Sequence, residues 1–225
     1  MDSYRTEEEQ VEALRRWWKE NGRSTIIGVV LALSLGFGWQ AWQQNRQQAA
    51  ENASLLYQQM LQHLGAQLTP GEDSRGDEAR ARELATQIKE DYRGSVYAQF
   101  AALHLARLAV NDGDLDGAEQ ELRWVLSMAS SGDDVHQLAQ LRLARLVAAQ
   151  GDSDAALAML EDARTDLVAS YALTRGDILM AQGQEDEARI AYETAVAALG
   201  PEAPVPPGLQ EKLQYLNARR AETGN

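Results

Sequence analysis

No cysteine occurs in the 225 residues. That absence removes disulfide frameworks, thiolate zinc sites, iron–sulfur clusters and cysteine nucleophiles together, and it fits either a reducing or an oxidising compartment. Basic residues are scarce too: 21 Lys and Arg stand against 34 Asp and Glu, a net charge of −13. A polyanion partner needs a basic face that releases counterions, so nucleic acid is excluded as a ligand. Proline numbers 5, four of them between residues 201 and 207. Aromatic residues make up only 6%, yet four of the five tryptophans, Trp17, Trp18, Trp39 and Trp42, crowd the amino-terminal end.

The signatures of catalysis are missing as well. There is no phosphate loop, dinucleotide fingerprint, Gly-x-Ser-x-Gly or His-Glu-x-x-His. His63, His104 and His136 are scattered without a second ligand at metal spacing and read as ordinary helical residues. The acidic groups Asp133/Asp134 and Glu185/Asp186/Glu187 stand where helices begin, where they serve the helix dipole. The chain is expected to be neither an enzyme nor a cofactor carrier.

Charge is also absent from residues 24–45. As a helix these 22 residues span roughly 33 Å, against a hydrocarbon core of about 30 Å. The tryptophan pairs flank the apolar centre as interfacial belts do, and no clean small-x-small site follows it, so an uncleaved anchor is expected rather than a signal peptide. Arg5, Arg15, Arg16, Lys19 and Arg23 precede the segment, whereas Arg46 is the only Lys or Arg after it before Arg75. The positive-inside rule then keeps residues 1–23 in the cytoplasm and sends residues 46–225 across the membrane. The flank carries five basic and six acidic residues, leaving −12 on the remainder, an acidic domain that does not hug the membrane.

Within the flank, Thr6-Glu7-Glu8-Glu9 has the capping-box form, and Val11, Leu14 and Trp18 recur at helical spacing until Asn21-Gly22 is expected to end the helix. This short amphipathic helix either docks a cytosolic partner or seats the anchor at the interface. In the anchor Gly28, Ala32 and Gly36 stand four apart, a face suited to helix packing, although glycine is common in membrane helices generally.

Beyond residue 50 there is no strand-like alternation, only apolar residues at three and four spacing. A phrase recurs there: Gly113-Asp114-Leu115-Asp116-Gly117-Ala118, Gly151-Asp152-Ser153-Asp154-Ala155-Ala156 and Gly183-Gln184-Glu185-Asp186-Glu187-Ala188. Its periods of 38 and 32 bracket the tetratricopeptide unit of about 34 residues. Glycine ends the first helix in a tight turn, an acid starts the second, and alanine lets the two pack closely. Larger residues follow where the second helix meets its neighbour: Leu122 and Val125, Leu160 and Ala163, Tyr192 and Ala195. The consensus tryptophan is missing, and Arg175 stands where leucine is usual, so the third unit is expected to be the distorted one. A helical pair over 50–92 is expected to cap the amino-terminal end of repeats spanning about 96–199, and a helix over about 208–221 the other. The fold class is therefore all-α, a single transmembrane helix followed by a tetratricopeptide-like α-solenoid.

The first helix of each repeat carries a second face: Leu103, Arg107 and Val110; Leu141, Arg145 and Ala148; Leu173, Asp177 and Met180. In register these residues would line a groove that suits a polypeptide segment, or they would pack against the capping helix. The groove lacks the Lys/Asn cluster that clamps a terminal carboxylate, so capture of acidic chaperone tails is not expected.

Gln10-Val11-Glu12-Ala13-Leu14 with Trp17-Trp18, Glu20-Asn21-Gly22, the glycine-bearing helix ending Gly38-Trp39, Ala53-Ser54-Leu55-Leu56-Tyr57 and Leu141-Arg142-Leu143-Ala144-Arg145 together resemble the YfgM family, the ancillary subunit of the SecYEG translocon in Gram-negative bacteria. The resemblance covers nearly the whole chain; its amino-terminal block is specific and its repeats generic. It implies a single-pass inner-membrane protein with a periplasmic domain. The partners it implies are the SecYEG translocon, a membrane-anchored periplasmic prolyl-isomerase-like chaperone and the exported unfolded polypeptides passed between them. The tail 218–225 is longer than is usual in the family. Repeats alone do not name their partner, so a scaffold or assembly factor for another envelope complex is the alternative.

Overall fold

The computed structural model describes residues 7–66, 74–161, 167–199 and 203–223, which form helices and turns with no strand among them. In order the helices are α1 (Glu7–Ala66), α2 (Ser74–Asp91), α3 (Val96–Asn111), α4 (Leu115–Met128), α5 (Asp134–Ala149), α6 (Ser153–Met159), α7 (Val168–Ala181), α8 (Glu185–Ala198) and α9 (Leu209–Thr223). Thr6 of the expected capping box, Ala163 and the end of the carboxyl-terminal tail lie outside the described residues. The chain divides into two units, 1–52 and 53–225.

In the first unit α1 runs straight through Asn21-Gly22, where a helix end was expected. Gly22 is buried beneath the Trp18 ring, which a Cβ there would meet at 3.3 Å. Neighbouring polar groups turn back onto the same helix. Asn21 Nδ2 donates to the Trp17 carbonyl at 3.2 Å, and the Ser24 and Thr25 hydroxyls donate to the Asn21 carbonyl at 3.2 and 2.9 Å. Such i−3 and i−4 bonds satisfy side chains without breaking the ladder, so the helix has no reason to stop. Within α1 lies an 18-residue window of mean hydropathy 1.5 with none of its residues buried, long and apolar enough to cross a membrane. Leu35 is 74% exposed, and the Trp39 and Trp42 rings pair at 5.1 Å with the Arg46 guanidinium 4.8 Å over Trp42.

The second unit is a row of helical hairpins. The turns of its three repeats are alike because each places a glycine in the left-handed region: Gly113 at φ 78°, Gly151 at 100° and Gly183 at 75°. The residue after each glycine donates back to a carbonyl five residues earlier, Asp114 to Ala109, Asp152 to Val147 and Gln184 to Leu179. This is the Schellman closure that satisfies orphan carbonyls at a helix end. Asp114 and Asp152 then cap the following helix through Gly117 N and Ala155 N. Gln184 makes no such bond, and Glu185, Asp186 and Glu187 supply negative charge to the first turn of α8 instead.

Three apolar clusters succeed one another along the row. The end of α1 meets α2 and α3 around Met60, Leu84 and Ile88; α3 to α6 meet around Leu122, Val125 and Leu143; α7 to α9 meet around Tyr192, Leu209 and Leu216. The third unit is not the distorted one. Arg175 is exposed, and the bare face of Gly176 accepts the Tyr192 ring, whose hydroxyl donates to Asp177 at 2.8 Å. The short helix is α6, seven residues long, and its Met159 carbonyl accepts a bond from Gln140 Nε2 of α5 at 2.6 Å. Across repeats, the buried Tyr171 hydroxyl donates to the Gln137 carbonyl at 2.8 Å, and burial pushes its pKa up to about 12.

Gly176→Ala tests the closest of these contacts. A methyl there overlaps the Tyr192 ring, which is 1% exposed and held by Asp177. Overpacking of about 1–3 kcal/mol outweighs the gain of about 1 kcal/mol in helix propensity. Urea unfolding followed by circular dichroism should show a lower midpoint with native helix content retained.

Candidate binding face of the repeat domain

Helix α3 is started by Ser95, whose hydroxyl accepts from Ala98 N at 3.2 Å. From that start Tyr97, Phe100, His104, Arg107 and Asn111 fall at three and four spacing and share one side of the helix. Tyr57 of α1 lies over the first part of this strip. Its ring centroid is 5.6 Å from Tyr97, 5.9 Å from Phe100 and 6.1 Å from His104, and its hydroxyl is 3.3 Å from His104 Nε2.

The strip continues into a pocket of about 410 Å³ among α3, α4 and α5. Buried Ala106, Leu122 and Leu146 supply its apolar lining, and Val110, 46% exposed, adds to it. Arg107, Arg142 and Arg145 are its charged members. Arg142 donates to the Leu103 carbonyl at 3.3 Å and Arg145 to the Thr174 hydroxyl at 3.0 Å. Burial, then the charges of Arg107 and Arg145, lower the Arg142 pKa from the ordinary guanidinium value. Burial, then Arg107 and Arg142, likewise lower that of His104, which is neutral at neutral pH.

The residues expected to line a groove divide into three groups. Arg107, Val110 and Arg145 border the pocket. Leu103 and Leu141 do not; each is 3% exposed and packed in the core shared by α3 to α6, and Ala148 packs against the same cluster. Because α3 and α5 are covered by repeats before and after them, their apolar arc is wide, and the open side is rotated from the expected one by somewhat less than a residue step of about 100°. In the third repeat the face is closed. Leu173 and Met180 pack with the cluster containing Leu209 and Leu216 of α9, and Asp177 pairs with Lys212 of α9 at 2.6 Å. Sequence reasoning missed Arg142, the Tyr57 cluster and the place of His104 in it, although the spacing of Phe100, His104 and Arg107 carried the signal. On α1, Gly28, Ala32 and Gly36 are exposed, and a Cβ at either glycine would meet nothing within 4 Å.

A family model described as a tetratricopeptide repeat-like domain matches residues 15–218. Curated relatives match over nearly the same span. The ancillary SecYEG translocon subunit of Escherichia coli (strain K12) is 31% identical over 216 residues, covering 95% of this chain and 96% of the relative. The chain belongs to the ancillary SecYEG translocon subunit family. Subunits of that name from Aggregatibacter actinomycetemcomitans and Haemophilus influenzae are 33% and 29% identical, each over 84% of this chain and 88% of the relative. The family match thus takes in the apolar helix and the repeats together, as the resemblance of the amino-terminal block implied.

The neutral imidazole of His104 gives this family member a pH signature. The folded pKa lies below the unfolded value of about 6.5, so stability is fully present above that value and is lost as pH falls through it toward the folded value. His104→Gln removes the penalty. Unfolding free energies of wild type and variant, measured from pH 8 downward, should run parallel above about 6.5 and diverge below it, with the wild type losing more.

Proposed function

We propose that this chain is a non-catalytic, membrane-tethered interaction module of the SecYEG translocon that helps pass exported polypeptides from the channel to periplasmic chaperones. The observation that carries this reading is the match to relatives named ancillary SecYEG translocon subunit across both the apolar helix and the repeats. Residues 1–23 face the cytoplasm, 24–45 cross the inner membrane and 46–225 lie in the periplasm, a reading that the Lys and Arg asymmetry supports. The Gly28, Ala32 and Gly36 face packs against a channel helix within the membrane, while the pocket between α3 and α5 takes polypeptide. A membrane-anchored prolyl-isomerase-like chaperone is the receiving partner.

Photo-crosslinking residues placed at exposed Leu35 and Val110 in native membranes test the reading. Channel subunits should be trapped from the first, and an exported chain or chaperone from the second; a different envelope complex at both positions would overturn it. Orientation is read separately. Because the chain has no cysteine, a Ser127→Cys variant should label with a membrane-impermeant maleimide in intact spheroplasts, and a Gln10→Cys variant only after lysis.

A further inference from the structure

The domain is acidic, and its cations find carboxylates readily. Arg82 pairs with Glu78 and Asp112, Lys89 with Glu121, Arg123 with Glu119 and Lys212 with Asp177. Arg107, Arg142 and Arg145 do not follow this pattern. Among the described residues none of the three has a carboxylate partner; Arg142 and Arg145 bond only to a neutral carbonyl and a neutral hydroxyl, and the guanidinium groups act on one another as like charges. Gathering three cations around an apolar pocket costs free energy that no carboxylate among the described residues offsets. The surplus of 34 acids over 21 bases makes their isolation the more informative.

We propose that Arg107, Arg142 and Arg145, with the apolar pocket they border, bind an extended polypeptide segment that carries a carboxylate side chain next to an apolar one. This rests on the reading of the repeats as a polypeptide-binding module and names the chemistry of its ligand. Guanidinium groups pair with carboxylates through short, charge-assisted hydrogen bonds, often two at once. The pocket, at about 410 Å³, falls in the range that holds compact apolar groups. Ala106, Leu122 and Leu146 receive the apolar side chain while the arginines hold its acidic neighbour. The aromatic strip of Tyr57, Phe100 and His104 extends the face for the rest of the segment. A dense polyanion does not fit, because the surrounding domain repels it; one or two carboxylates meet the local cations alone.

The test uses the full chain in detergent micelles and a short fluorescein-labelled, carboxy-amidated peptide of alternating leucine and glutamate. Its twins carry glutamine or lysine at every glutamate. Anisotropy titration should show the glutamate peptide binding about tenfold or more tighter than the glutamine twin, with the lysine twin weakest. In Arg107→Gln/Arg145→Gln, two exposed positions, that preference should vanish, with retained folding checked by circular dichroism. Val110→Asp should weaken the glutamate and glutamine peptides together. Equal affinity for the glutamate and glutamine peptides, no binding of either, or a preference that survives the double variant would overturn the proposal. An arginine-dependent dimer in sedimentation would do the same, since a second copy would then supply the carboxylates. Exported chains trapped from Val110 without any preference for acid would leave the translocon reading standing and remove only this one.

Discussion

Two helices joined by a short turn can lie close along their length only where one of them has almost no side chain at the crossing. Ala118, Ala156 and Ala188 hold that position in the three repeats, and all are fully buried. The rest of the repeat domain depends on this approach. The left-handed glycine that opens each phrase ends the first helix and turns the chain, and the alanine five residues later receives the returning helix. Because α3, α5 and α7 end in equivalent turns, their surfaces recur in order. That recurrence lets side chains from separate repeats, such as Arg107 and Arg142, share one pocket.

The same construction decides how much surface stays available. At one end of the row Tyr57 joins Tyr97, Phe100 and His104, so the end of α1 becomes part of the face. At the other end α9 covers the third repeat, with Leu209 and Leu216 in the core and Lys212 on Asp177. The open stretch therefore spans the first two repeats. Its chemistry is unlike the rest of the acidic surface: an apolar pocket, half-buried aromatics and a concentration of guanidinium groups.

Much of this was legible in the sequence. The recurring Gly, acid and Ala reports backbone geometry directly, since a positive φ and a close crossing each admit few residue types; turns, caps and hairpin order followed from it. The uncharged stretch and its tryptophans reported the apolar helix for an equally direct reason. What could not be read is phase. An amphipathic helix with one neighbour shows its open side as a polar stripe, but α3 and α5 are covered from two directions, and Leu103 and Leu141 lie within the broadened apolar arc. Asn21-Gly22 misled because a helix stop written in residue types is overridden when the side chains bond back to their own helix. Arg175 misled likewise, since a charged residue on the exposed side of α7 leaves the Gly176 crossing untouched.

A row in which each hairpin leans only on its neighbours has ends that fray and a middle that does not. The pocket is built from α3, α4 and α5, with further helices stacked on either side. Detachment of α9 would break the Asp177 pair and expose Leu209 and Leu216 while leaving the pocket walls bonded through Arg142 to Leu103 and Tyr171 to Gln137. Loss of the terminal helix would thus leave in place every residue that lines the pocket. Local breathing at the edge of the stack and a fixed pocket at its centre are separable properties of one short polypeptide.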